Sequence, residues 1–118
     1  MYKIILDTNF LINAIKFKLD IFSELKKTLD NPFKVYIVDK TLDELKSKPN
    51  ERLIRTFIER KGINIIKTAK NKYTDDLILE KSTENTVIAT QDKELKEKAK
   101  KKGLKTLIIR QKKYLLMI

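Results

Sequence analysis

Short apolar runs alternate along this chain with stretches in which apolar residues recur every three or four positions. The runs fall at residues 3–6, 34–38, 63–66, 86–90 and 106–109. They read as strands, and the all-apolar Ile4-Ile5-Leu6 as a central one buried on both faces. The stretches between them read as helices. Phe10, Ile12 and Ile15 start the first, and Ile21, Phe22, Leu25 and Leu29 mark a second that Asp20 is placed to cap. Leu42 and Leu45 indicate a third helix, and Leu53, Ile54, Phe57 and Ile58 a fourth beyond the Pro49-Asn50 break. Leu77, Ile78 and Leu79 lie in a fifth, and Leu95 and Ala99 in a sixth that Gly103 ends. Strand-helix alternation of this kind predicts an α/β fold, with a parallel sheet covered by helices on both faces through right-handed crossovers. No Pro/Gly/Ser linker or internal repeat divides it, so one domain over residues 1–118 is expected.

Several strands and helix starts carry an acid at the junction. Asp7 follows the all-apolar Ile4-Ile5-Leu6, and Glu44, Asp75 and Asp92 occupy comparable places further on. Each has a structural reading of its own. Asp7 and Asp92 suit helix N-caps. Thr41 and Glu44 fit a capping box. Thr74 suits a cap, leaving Asp75 and Asp76 in a first turn where the helix dipole favours acids. Taken together, the four point elsewhere. In a parallel α/β sheet the carboxyl ends of strands share one edge, where ligands bind at the switch in strand order. Carboxylates gathered there repel and raise one another's pKa unless a cation neutralises them. With oxygen donors alone, a hard ion such as Mg²⁺ or Mn²⁺ fits. Asn9 and Thr90 stand beside the acids, either positioning a ligand or water by hydrogen bonding or serving as turn and strand-end residues.

Composition narrows the chemistry. The 118 residues contain no cysteine and no histidine. That removes disulfides, Cys/His zinc sites, a thiol nucleophile and a histidine base. A net charge of +11 favours a polyanionic partner such as nucleic acid, or else decorates solvated helix faces. Lys93, Lys96, Lys98, Lys100, Lys101 and Lys102 form the densest basic stretch, with Lys70, Lys72, Arg110, Lys112 and Lys113 in others. No apolar stretch approaches the roughly 20 residues of a membrane span. The chain starts directly in a strand pattern without a leader-like segment, so a cytoplasmic protein is expected.

The motifs Asp7-Thr8-Asn9, Glu44-Leu45, Asp75-Asp76-Leu77-Ile78 and Thr90-Gln91-Asp92-Lys93-Glu94-Leu95 together resemble the signature acids of PIN-domain ribonucleases. The small archaeal members are especially similar, both VapC-type toxins and relatives of ribosomal-RNA processing nucleases. The resemblance spans essentially the whole chain. It implies a three-layer α/β/α sandwich around a five-stranded parallel sheet ordered 3-2-1-4-5, and Mg²⁺- or Mn²⁺-dependent endonucleolytic cleavage of RNA. It further implies that Asp7, Glu44, Asp75 and Asp92 are the catalytic, metal-holding acids, that Asp76 is an extra acid, and that Thr90 sits at the family's position two before the last acid. Homodimers and an antitoxin protein covering the acidic site are the partners it suggests. The lack of Cys and His departs from the zinc-ribbon relatives that mature small-subunit RNA. Two rival readings are a catalytically weak RNA-binding or ribosome-assembly protein on the same scaffold, and a phosphatase-like enzyme. The latter needs a glycine-rich phosphate loop, and the chain has only two glycines.

Overall fold

Each of the five apolar runs forms a strand, and a sixth strand follows them. In the computed structural model, which describes residues 1–118, these are β1 (Tyr2–Leu6), β2 (Phe33–Val38), β3 (Asn64–Ile66), β4 (Thr86–Ala89), β5 (Lys105–Arg110) and β6 (Tyr114–Met117). The helices are α1 (Thr8–Lys16), α2 (Ile21–Thr28), α3 (Asp39–Leu45), α4 (Glu51–Arg60), α5 (Thr74–Lys81) and α6 (Lys93–Lys101). The sheet order is β3-β2-β1-β4-β5-β6. The first five strands are parallel in the expected 3-2-1-4-5 order.

The expectation of a five-stranded, wholly parallel sheet needs one correction. β6 pairs antiparallel with β5, from Leu107↔Met117 to Arg110↔Tyr114. The hairpin turns through Gln111 (φ 52°) and Lys112 (φ 57°) and is closed by the Lys113 N–H donating to the Arg110 carbonyl at 3.0 Å. Positive φ at both central residues is what a type I′ turn requires. The apolar C-terminal segment thereby packs back on the sheet. Leu115 is buried, and its N–H donates to Glu24 Oε1 of α2 at 3.3 Å.

Alternation along each central strand divides the core between two faces. Ile4, Leu6, Val35, Ile37, Val87, Ala89, Leu107 and Ile109 join the larger cluster with Phe10, Leu11, Leu25, Leu45, Ile54 and Ile58 from α1 to α4. Ile5, Val38 and Ile88 turn the other way, against Leu77, Ile78, Leu95 and Ala99 of α5 and α6. This two-sided burial is why β1, β2 and β4 read as unbroken apolar runs. At roughly 1.5–3 kcal/mol for each large aliphatic side chain buried, both faces contribute strongly to holding the central strands. Successive strands step outward one way from β1 through β2 to β3, and the other way from β4 to β5. The order therefore reverses between β1 and β4, where Leu6 and Ala89 lie in register. The first residues beyond that pair are Asp7 and Thr90.

Candidate active site

The backbone brings Asp7 and Thr90 together before any side chain acts. The Asp7 N–H donates to the Ala89 carbonyl at 2.9 Å, and the Thr90 N–H to the Leu107 carbonyl at 3.0 Å. Asp7 is then fixed from both sides. Its Oδ1 accepts from the Thr8 N–H at 2.9 Å, and its Oδ2 from the Thr90 hydroxyl at 2.9 Å. Thr90 is completely buried and Asp7 nearly so. The same Thr90 oxygen accepts from the Asp92 N–H at 3.0 Å, and Asp92 Oδ1 accepts from the Leu95 N–H at 3.0 Å. Asp7 and Asp92 are thus the N-caps of α1 and α6. Capping and membership of an acidic site coincide in them, because each cap uses Oδ1 and leaves the other oxygen for further contacts.

Glu44 arrives by a different route. α3 starts at Asp39 directly after β2, with Val38 at its N-cap position, so Thr41 lies inside the helix and the expected Thr41–Glu44 capping box does not form. The backbone of α3 is committed two residues earlier, at Asp39, whose carboxylate accepts from the Thr68 N–H and hydroxyl. Glu44 Oε1 instead accepts from the Thr8 hydroxyl at 2.6 Å and the Thr74 hydroxyl at 2.8 Å. The buried Thr41 hydroxyl lies 3.0 Å from that of Thr8. Thr8 has one hydroxyl proton, so with that proton on Glu44 it is Thr41 that donates to Thr8. Thr74 likewise does not cap α5 with its side chain; Tyr73 holds the N-cap position. Three threonines from three helices therefore orient one exposed carboxylate. Single-sequence reading offered Thr8, Thr41 and Thr74 only as neighbours or caps, since a hydroxyl's partner across 33 or 36 residues leaves no local pattern.

Asp75 is the residue after Thr74, in the first turn of α5 with Asp76. Burial pushes the Asp75 carboxyl up, the charges of Asp7 and Asp92 push it further, and Lys98 pulls against them, leaving it at about 6. Asp7 is also held above the usual carboxylate range. Burial is the main cause, the hydrogen bonds from Thr90 and Thr8 oppose it, and the charges of Glu44 and Asp92 add to it. Each of the four acids thus acts electrostatically on at least one other. They do not form a closed cage: no three carboxylates are drawn together tightly enough to hold an ion among themselves. Asp76 turns toward α6, 3.6 Å from Lys98 Nζ. Asn9 is exposed in the first turn of α1.

An open set of oxygen donors suits a small divalent cation that keeps several waters and takes one or two carboxylates directly. Mutual repulsion around a buried Asp7 is what such a cation relieves. Softer metals have no thiolate or imidazole here to bind.

A fold with this strand order, carrying acids at the β1/β4 switch point and on the two flanking helices, defines a class, and the family comparison names it. The chain belongs to the PIN-like domain family, whose profile, described as "PIN like domain", matches residues 4–112. It is 35% identical to Ribonuclease VapC4 of Methanocaldococcus jannaschii, an alignment that covers 97% of this chain and 95% of that protein. The solved structure of the PIN domain endonuclease Utp24 superposes with a TM-score of 0.85 at 26% identity, over 98% of this chain and 90% of that one. No helix is long and apolar enough to cross a membrane.

Proposed function

We propose that this protein is a Mg²⁺- or Mn²⁺-dependent endoribonuclease that hydrolyses RNA phosphodiesters at the Asp7, Glu44, Asp75 and Asp92 edge. The observation that carries the reading is the buried Asp7 carboxylate, fixed by Thr8 and Thr90 and repelled by the acids around it. A fold gains nothing in stability from concentrating like charges there, so the arrangement is explained by what it binds. The 35% identity to a protein named as a ribonuclease supports RNA as the substrate.

Asp7 and Asp92 would hold the cation directly, with Glu44 and Asp75 taking a second ion or its waters. When bound, the ion lowers the pKa of water and offsets charge on the phosphate oxygens. The chain's own work is positional. Thr90 locks Asp7 to the backbone of Asp92, so the two acids move as one unit. Thr8 and Thr74 aim Glu44, in the way that hydrogen bonds behind a ligand tune it. Asp75, pushed up to about 6 by burial and the charges of Asp7 and Asp92, is returned toward its ionised form when a cation offsets those charges.

Similarity to a VapC ribonuclease favours the toxin-type role, with an antitoxin protein as partner and the cytoplasm as location, over an RNA-processing role. The test is cleavage of labelled RNA with Mg²⁺, with Mn²⁺ and with chelator, beside the Asp7→Asn variant. Metal-dependent cleavage that disappears in the variant is expected. Intact RNA under every condition, with binding retained, would replace this reading with the RNA-binding scaffold.

A further inference from the structure

The lysines of this chain fall into two groups. Lys70 and Lys72 are engaged, by Asp43 at 3.0 Å and Glu80 at 2.9 Å. Lys98 lies between Asp76 and Glu94 at 3.6 and 3.3 Å, and Lys102 donates to the Leu79 carbonyl. Lys93, Lys96 and Lys100 have no such partner, and their spacing places them on one face of α6. Together with Lys105 at the start of β5 they line a cleft of about 450 Å³, with Glu97 the one acid among its lining residues. Leu104 and Ile118 supply its apolar part.

Position gives the cleft its meaning. Lys93, at one end of the cleft, directly follows Asp92, the cap of α6, so that end adjoins the acidic edge along the chain. α6 then carries Lys96 and Lys100 away from that edge, with Lys93 and Lys100 about 10 Å apart along the axis. Other surface lysines are also unpartnered; what sets these four apart is that they line one cleft, where they can meet an anion of matching length together. A strand of nucleic acid has regularly spaced phosphates for the ammonium groups and base faces for the apolar part of the cleft.

We propose that the cleft along α6 is a track for the RNA substrate, binding the phosphates on one side of the cut through Lys93, Lys96, Lys100 and Lys105. This rests on the ribonuclease reading for its substrate, and it predicts which face guides the strand. Contacts of this kind set affinity and strand path, not base choice.

The test is the double reversal Lys96→Glu/Lys100→Glu, neither residue belonging to the acidic site. The control is Lys26→Glu/Lys61→Glu, which makes the same change in net charge on the opposite face of the sheet. Binding of a labelled 12-nucleotide RNA is measured with chelator over a salt series, and cleavage of the same RNA with Mg²⁺. The cleft variant is expected to bind at least about tenfold more weakly than the control, with a salt slope smaller by about 1.4 for two lost phosphate contacts. In cleavage its KM rises while kcat at saturation stays near the control's. Affinity and slope equal to the control's would overturn the track, even if cleavage is intact. Cleft-dependent binding without any cleavage would uphold the cleft as an RNA-binding face and overturn the ribonuclease reading instead.

Discussion

The crowding of carboxylates has a stability cost that one substitution exposes. Asp75→Asn removes a charge while keeping the shape of the side chain. A carboxyl held at about 6 against an ordinary value of 3.8 sets a ceiling of about 3 kcal/mol on the strain of its ionised form. Partial exposure to solvent screens that to about 2 kcal/mol. The variant also loses about 0.5 kcal/mol of attraction between the acid and the N-terminus of α5. At neutral pH without divalent ions, Asp75→Asn should therefore be more stable than the parent by about 1.5 kcal/mol, or about 5 °C in Tm. The pH dependence follows from linkage. The folded-state pKa lies above the unfolded one, so between about pH 4 and pH 6 the native state holds more protons. Parent stability falls across that window, and the full cost is present above it. Urea denaturation of both proteins in chelator, at about pH 4 and about pH 7.5, measures the difference. A gain at the higher pH that vanishes at the lower is expected. An equal gain at both, or a loss at pH 7.5, would refute the electrostatic account.

Three further outcomes follow from the same geometry. Saturating Mg²⁺ should stabilise the parent by about 2.7 kcal/mol at a hundredfold excess over Kd, and Asp7→Asn should lose most of that in a thermal titration. Thr90→Val strands Asp7 Oδ2 and the Asp92 N–H, costing about 1–3 kcal/mol and about 10–100-fold in kcat. Thr90→Ser should restore both, as seen by denaturation and single-turnover cleavage. Leu115→Ala should cost about 2–3 kcal/mol in urea melts with little change in kcat, because β6 supports α2 at a distance from the acids.

β1, β2 and β4 were legible because their apolar runs are buried on both faces, and Asp7 because it directly ends the first of those runs. What stayed hidden is instructive. β6 alternates exposed and buried residues from Tyr114 to Met117, but its turn is built from Gln111 and Lys112 rather than the Asn-Gly pair that announces a hairpin. A basic tail and an apolar tip concealed an edge strand. The Thr41–Glu44 pattern matched a capping box, yet the helix had already started at Asp39, since Asp39's tie to Thr68 lies in a loop that no local window includes. The threonine support beneath Glu44 was invisible for the same reason. Its members come from α1, α3 and α5 and meet only in three dimensions. Asp76, adjacent to Asp75 in sequence, points to Lys98 instead, as neighbouring helical positions face different ways.

The bond between Thr90 and Asp7 also sets a timetable. Its two residues are 83 apart in the chain, so at about 5–20 residues per second Asp7 is translated about 4–17 s before its anchor exists. A nascent chain carrying the first helices and strands has the founding acid but neither its clamp nor Asp92. Whatever this edge does, it begins only after the chain has been made through Thr90 and Asp92, so the clamp delays the site's assembly relative to its first acid.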